Sequence, residues 1–350
     1  MKWWQRRKSV ADRLSDEELK VLQILNRAAI GLPGVPLALR PRPPWWRRVG
    51  VPLALFLVTF CTVTINGALL EGVDIFAEPG RVWSGLPFAV ALISILLIHE
   101  MGHYLTARHH GVPASLPYFL PAPPFFIGTF GAFIKMEAIP STRAALFDVG
   151  AAGPWAGFFA SVAAFVIGLQ QSRIEPVTPD SIGLELGDSL LTKALVHWVM
   201  GPVPEGFAVY FSPVAFAGWV GFFVTVLNLL PMGQLDGGHI AYAFFGRRHA
   251  LWARVAWGGV VVCALIFWPG WYFWAFFPLI FGFDHPPTRT DWNPLRGWRR
   301  WGFVMTVLLF VALFVPRPLA PLYGPEPSHR DQVPVERPRE QPRELGLQEV

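Results

Sequence analysis

The feature that most constrains this chain is an apolar run, residues 85–98, that leads directly into His99-Glu100-Met101-Gly102-His103. The run carries no charged side chain, and as an α-helix it would extend roughly 21 Å at about 1.5 Å per residue. A bilayer core is about 30 Å thick, so a helix entering it near Gly85 still holds His99 and His103 at membrane depth. Ionisable side chains there are costly and indicate function, whereas the alternative is a polar helix end at the interface.

The H-E-x-x-H spacing predicts a zinc site of the hydrolase type. Residues four apart lie on one face of an α-helix, so His99 and His103 can bind the same metal ion. In this motif the glutamate, Glu100, is not a ligand but the base that takes a proton from water. Two histidines leave a catalytic zinc ion one protein ligand short.

Asp236 is the best candidate for that third ligand. It follows a charge-free run, residues 206–235, in which Pro231 and Gly233 predict a break in the helix. We therefore predict that Asp236 lies on an unwound or restarted segment that faces the two histidines. The alternative is an aspartate that only caps the restarted helix. His239 could also bind metal, but a supporting or capping role is expected, because the ligand set is already complete.

The composition indicates a polytopic membrane protein. Of 350 residues, 53% are hydrophobic and only 15% are charged, and the chain contains 16 tryptophans, which favour membrane interfaces. The net charge of +5 comes with basic residues clustered between apolar runs, a pattern typical of membrane topology and not of nucleic-acid binding. Cys61 and Cys263 each lie in an apolar run, so neither a disulfide framework nor a cysteine-based zinc site is predicted.

We predict an all-α polytopic membrane protein with six to seven transmembrane helices and a re-entrant β-hairpin-like segment near the active site. Residues 1–50 are predicted as a cytosolic N-terminal segment with an amphipathic helix and a basic anchor and without a cleavable signal peptide, 51–315 as the transmembrane domain, and 316–350 as a disordered tail. The predicted spans are 51–70, from about 85, 147–170, within 206–235, 251–268, 271–283 and 302–315.

The hairpin prediction rests on residues 111–139, which are apolar but contain too many prolines for one straight helix. Within them, Gly128-Thr129-Phe130-Gly131 favours extended strands around a glycine turn. Irregular backbone at membrane depth must be buried in protein or line a cavity, which favours a hairpin beside the active site. A proline-rich loop at the interface is the open alternative.

The charge distribution predicts the orientation. Arginines at 40–48 place the start of the first span on the cytosolic side, so the second span returns inward and carries His99, Glu100 and His103 towards the cytosol. The tail would then lie outside after seven spans and inside after six.

These motifs together resemble the site-2 protease family of intramembrane zinc metalloproteases, in its compact form without a PDZ domain. The resemblance is carried by His99-Glu100-Met101-Gly102-His103, Gly128-Thr129-Phe130-Gly131, Ala152-Gly153-Pro154, Asn228 with Leu230-Pro231, and Gly233-Gln234-Leu235-Asp236-Gly237-Gly238-His239. It implies Zn2+ as cofactor, with His99, His103 and Asp236 as ligands and Glu100 as general base.

The resemblance also implies a reaction and a substrate class. Such a protein hydrolyses a peptide bond in or near a transmembrane segment of another protein, in regulated intramembrane proteolysis. Asn228 would act in catalysis and substrate binding by holding the substrate strand or the developing oxyanion, and Gly128, Thr129, Phe130 and Gly131 would offer a strand edge. The expected partners are the bilayer and a single-span membrane protein, such as an anti-sigma factor or membrane-bound regulator, with no nucleic acid. The expected location is the prokaryotic plasma membrane.

Three alternatives stay open from the residues alone. A membrane zinc transporter can also carry His and acidic side chains on its helices, but it needs sites that form a path. A zinc-binding scaffold would hold the metal without catalysis. A prenyl-protein type of membrane protease would use a downstream glutamate in place of Asp236.

Overall fold

The computed structural model describes residues 44–123, 127–138, 140–178, 182–288 and 293–323. The amphipathic helix and most of the basic anchor predicted for the N-terminal segment lie outside these residues, as does the tail beyond 323. The division of the chain at residues 50 and 315 therefore stays a prediction. The described residues from Leu55 onwards belong to one compact unit, and the packing described below concerns that unit.

Helices dominate the described residues. In chain order they are α1 (Val51–Leu70), α2 (Leu86–His109), α3 (Arg143–Leu169), α4 (Leu190–Met200), α5 (Pro213–Asn228), α6 (Asp236–Phe245), α7 (His249–Ile266), α8 (Trp271–Phe281) and α9 (Trp298–Leu313). Shorter helical turns cover Trp46–Gly50, Pro79–Gly85 and Gly246–Arg248. The first predicted span coincides with α1. Helices α3 and α9 each begin four residues before the predicted start of the span to which they correspond, 147–170 and 302–315.

Within the part of the chain that the structure describes, four helical stretches are long and apolar enough to cross a membrane: Trp46–Leu70, Pro79–His109, Arg143–Leu169 and Asp236–Ile266. Large apolar side chains on the later helices are exposed, including Leu265, Phe273 and Ile280, as expected of surfaces that face lipid. The prediction of a mostly helical membrane protein is thereby confirmed. The predicted number of spans, six to seven, is larger than these four stretches and stays a prediction.

Side-chain caps fix where the central helices begin. The Thr142 hydroxyl accepts a hydrogen bond from the Ala145 N–H at the start of α3, and Ser212 does the same for Ala215 at the start of α5. The predicted break after α5 is confirmed, because the chain leaves the helix at Asn228 and restarts at Asp236.

Helix α3 lies at the centre of the fold and packs against α2, α5 and α6. Its neighbours approach closely because small residues face one another. A Cβ atom on Gly102 of α2 would lie 2.6 Å from the Ala152 carbonyl oxygen, and one on Gly168 would meet the backbone of Ala215. Backbone-to-backbone packing of this kind is common where helices associate in membranes.

Three two-stranded antiparallel sheets complete the described structure. They pair β1 (Tyr118–Pro121) with β2 (Thr129–Phe133), β3 (Arg173–Pro176) with β5 (Phe207–Tyr210), and β4 (Ile182–Leu186) with β6 (Leu319–Tyr323). The first sheet is the predicted β-hairpin, whose depth in a membrane stays a prediction. The third joins the loop after α3 to the chain after α9.

Candidate metal centre

The ligand atoms of His99, His103 and Asp236 form a compact triangle. Nε2 of His99 and Nε2 of His103 are 3.1 Å apart, and each lies 3.2 Å from Oδ2 of Asp236. The two histidines lie one turn apart on α2, and Asp236 is the first residue of α6. The N-cap position of α6 is occupied by Leu235, which makes no side-chain cap bond. The Asp236 carboxylate, one residue later, faces the histidines.

This triangle fits a zinc ion. Tetrahedral zinc with bonds of about 2.0–2.1 Å requires ligand atoms about 3.3–3.4 Å apart, and the measured separations of 3.1 and 3.2 Å lie close to that. Two imidazoles and one carboxylate are also a donor set of catalytic zinc sites, which keep one position open. Among the described residues this is the one group of three His, Cys, Asp or Glu side chains with that geometry.

The tautomer of His103 is set by the backbone of α3. Its Nδ1 donates to the Val149 carbonyl oxygen over 2.7 Å, which leaves Nε2 free to bind metal. Pro154 lies inside α3 and cannot donate to the Gly150 carbonyl, which is next to the Val149 carbonyl that binds His103.

Three glycines of α3 make room for the imidazole rings. A Cβ on Gly153 would lie 2.0 Å from Nε2 of His103, and one on Gly157 would lie 2.9 Å from Nδ1 of His99. A Cβ on Gly150 would meet the Cβ of His239 at 3.0 Å. These glycines of α3 therefore pack against the metal site itself.

Glu100 is buried next to the triangle, where it lines a cavity of about 260 Å³ that the metal-binding side chains and Asn228 share. Ile134 of the hairpin lines the same cavity beside Glu100. The amide nitrogen of Asn228 lies 3.3 Å from Nε2 of His99. A carboxylate and an amide therefore flank the three metal-binding side chains.

The predicted substrate-binding stretch lies beside the cavity but does not line it. Gly128 packs on α1, where its carbonyl accepts a hydrogen bond of 2.6 Å from the Thr62 hydroxyl. Thr129 is buried and donates to the Leu120 carbonyl, and Phe130 is exposed. The lining is supplied by the residues that follow: Ala132, Phe133, Ile134 and Met136.

The four predicted residues therefore belong to the hairpin beside the cavity, and their role in substrate binding stays a prediction. Gln234, Leu235 and His239 also line the cavity. Of these, only His239 was predicted from the sequence to have a role of its own at the site. The alternation of side chains along β2 was the available signal, but it does not tell which end of the strand is near the metal site.

Comparison with known proteins agrees with this geometry. Residues 87–268, more than half of the chain, match the model of peptidase family M50. The chain is 30% identical over 242 residues to the probable zinc metalloprotease EGY1, chloroplastic, of Oryza sativa subsp. japonica, covering 67% of this chain and 41% of that protein. It is 34% identical over 172 residues to the probable zinc metalloprotease EGY2, chloroplastic, of Arabidopsis thaliana, covering 47% and 30%.

A third relative, the probable zinc metalloprotease EGY3, chloroplastic, of Oryza sativa subsp. indica, is 31% identical over 302 residues, covering 77% of this chain and 48% of that protein. The chain spans less than half the length of these relatives. The match to the family model covers α2, the hairpin, α3 and α6, which together carry every residue of the metal triangle. This chain is therefore a member of peptidase family M50, the family of the site-2 proteases.

Proposed function

We propose that this chain is an intramembrane zinc metalloprotease that hydrolyses a peptide bond in or near a transmembrane segment of another protein. The observation that carries the proposal is the triangle of His99, His103 and Asp236 with Glu100 beside it, buried among helices apolar enough to cross a membrane. Family membership and relatives named zinc metalloproteases support the same reaction.

The metal ligands, Glu100 and Asn228 each have a role in this hydrolysis. His99, His103 and Asp236 would hold a zinc ion, which would supply the Lewis acidity that polarises a peptide carbonyl and makes a nearby water more acidic. Glu100 takes the proton as the water oxygen adds to the carbonyl carbon, and returns a proton to the amine nitrogen as the C–N bond breaks. The Asn228 amide donates to the carbonyl oxygen, where negative charge develops.

The substrate would bind as an extended strand along β2. A helical peptide keeps its carbonyls within its own hydrogen bonds, so a transmembrane segment must unwind before it reacts. The end of β2 at the cavity, Ala132 and Phe133, has an edge that the hairpin partner β1 does not occupy. Strand addition at that edge would hold the unwound peptide, with Gly128, Thr129, Phe130 and Gly131 forming the part fixed to α1.

We further propose seven membrane passes, formed by α1, α2, α3, the broken pair α5–α6, α7, α8 and α9. Helix α6 runs back towards the start of α3, because Arg143 donates to the carbonyls of Ala243 and Phe244 at its end. The turn at Gly246, with φ +59°, then separates α6 from α7. After α9 the chain pairs through β6 with β4, which supports a tail on the side of the loop after α3.

The orientation and location are proposals as well. Arg247 and Arg248 lie at the turn after α6, on the side where α3 begins, and basic residues favour the cytosolic side. The metal site would then open towards that side. The prokaryotic plasma membrane predicted from the sequence gains no support from the relatives, whose names are chloroplastic.

The substrate proposal is a single-span membrane protein, such as an anti-sigma factor or membrane-bound regulator. It is tested by expressing the wild type or Glu100→Gln together with tagged single-span proteins and asking which accumulate uncut. Glu100→Gln should keep zinc and lose cleavage at least about 100-fold, since it removes the base. Glu137→Gln, at an exposed glutamate that does not line the cavity, is the matched control.

The same pair of variants separates the alternatives. A transporter needs several metal sites along a path, whereas the described residues bring one such group together. Cleavage that persists in Glu100→Gln would overturn the protease proposal. Zinc bound in both forms without any cut substrate would favour the scaffold. A downstream glutamate as ligand would be indicated if Asp236→Asn bound zinc as tightly as the wild type.

A further inference from the structure

A pair of histidines next to the metal site has no role in the mechanism above. Nδ1 of His239 and Nε2 of His285 are 2.6 Å apart. His239 lies on α6 one turn after Asp236 and lines the cavity. His285 follows α8, is buried, and stacks on the ring of Tyr242 with centroids 4.6 Å apart. Neither imidazole belongs to the metal triangle.

The partner of each nitrogen fixes the direction of this hydrogen bond. Nδ1 of His285 lies 2.7 Å from the Pro286 carbonyl oxygen, which can only accept, so this nitrogen carries the hydrogen. In a neutral imidazole the other nitrogen, Nε2, is then an acceptor. Nδ1 of His239 must therefore donate to it, and Nε2 of His239 is left with a lone pair and no hydrogen.

We propose that His239 uses Nε2 to accept a hydrogen bond from a backbone N–H of the bound peptide, and that His285 is the positioning residue that sets this tautomer. The inference rests on the proposed function, because it names a contact to the same peptide. Strand pairing with β2 satisfies one edge of an extended peptide and leaves N–H groups on the other edge. In an apolar surrounding an unpaired N–H is costly, so an acceptor in the cavity strengthens binding.

The cavity otherwise offers this edge few side-chain acceptors. The Glu100 carboxylate is engaged in proton transfer, and the Asp236 carboxylate faces the metal histidines. The Asn228 amide nitrogen is a donor, and Gln234 lines the cavity but is exposed. His239 lies on α6, held against Gly150 of α3, and so presents its ring from a rigid element. Rigid placement is what makes a single hydrogen bond selective for one peptide register.

The test uses the full chain in detergent and a fluorophore–quencher peptide with one apolar span and a central Asn-Gly pair. His239→Phe removes the acceptor, and His285→Phe keeps a ring for stacking on Tyr242 but removes the group that sets the tautomer. Each should lower kcat/KM about tenfold, the effect of one lost hydrogen bond, while zinc per chain equals that of the wild type. His239→Gln keeps an acceptor at the ε position and should retain most activity.

The double variant distinguishes positioning from structural support. With His239→Gln in place there is no tautomer to set, so adding His285→Phe should change kcat/KM by less than about twofold. An equal loss in both backgrounds would show that His285 only supports the fold and would overturn the inference. A loss of zinc in His285→Phe would also overturn it, because the pair would then be holding Asp236.

A spectroscopic measurement decides the tautomer without cleavage. In protein labelled with 15N-histidine, His239 should show a protonated Nδ1 and an unprotonated Nε2, and His285→Phe should shift it towards the other tautomer. A protonated Nε2 in the wild type would contradict the proposal. A zinc-loaded wild type that leaves every tested peptide and protein uncut would instead overturn the proposed function, whichever tautomer the spectrum shows.

Discussion

Replacing Gly153 by alanine tests whether His103 binds metal in the orientation described. The added Cβ would lie 2.0 Å from Nε2, 2.4 Å from Cδ2 and 2.5 Å from Cε1, which places it against the face of the ring. The ring cannot simply rotate away, because Nδ1 is bound to the Val149 carbonyl over 2.7 Å. Helix α3 is equally constrained by backbone contact with α2 at Gly102.

The size of the effect follows from these distances. Ordinary contact with a Cβ begins near 3.4 Å, so Nε2 would have to move by about 1.4 Å. Zinc–ligand distances tolerate only about 0.2 Å, so His103 would cease to be a ligand. Overpacking adds about 1–3 kcal/mol of lost stability. We expect zinc affinity to fall by more than about 100-fold, beyond the range found for groups that merely orient a ligand.

The assay is zinc per chain, measured in purified protein after dialysis against graded chelator, together with thermal unfolding. Gly157→Ala should show a smaller loss, because its Cβ would stop 2.9 Å from His99. Gly258→Ala on α7 is the control, since no atom lies within 4 Å of its Cβ position, and it should bind zinc as the wild type does. Full zinc affinity in a folded Gly153→Ala variant would refute the assignment of His103.

Two further predictions concern contacts away from the metal. Thr62→Val removes the hydrogen bond to Gly128, so kcat/KM should fall about tenfold at unchanged zinc content. Thr64→Val, which loses a hydrogen bond within α1, is the control and should not lower kcat/KM. Equal activities of the two variants would contradict a role of α1 in placing the hairpin. Arg299→Lys loses the two-bond contact to Asp148 and should cost about 1–2 kcal/mol in detergent unfolding; an unchanged transition would contradict this.

Much of the helical framework was predictable, because a charge-free run of membrane length leaves few alternatives. The starts of α3 and α9 were not. Arg143 is buried at the beginning of α3, where it satisfies carbonyls at the end of α6, and Arg299 is paired with Asp148. A sequence pattern treats such arginines as the polar boundary of a span, whereas tertiary pairing allows them inside the helix.

The site also contains some features that were predictable from the sequence and others that were not. His99, Glu100 and His103 lie on one helical turn, so their spacing alone indicates their geometry. The cavity-facing end of β2 depends on Gly128 packing against Thr62, a contact that spans 66 positions. The pairing of His239 with His285 spans 46 positions. Contacts of this range follow from the packing of whole helices, which local periodicity does not encode.

The break between α5 and α6 has a consequence for how the protein is made. Helix α6 has ten residues, about 15 Å at 1.5 Å per residue, and begins with a carboxylate, so it is too short and too polar to enter lipid independently. Its insertion needs α3 already in place to receive it. During biosynthesis, the segment that carries Asp236 must therefore dock after the first helices have assembled, and the complete three-ligand site forms only then.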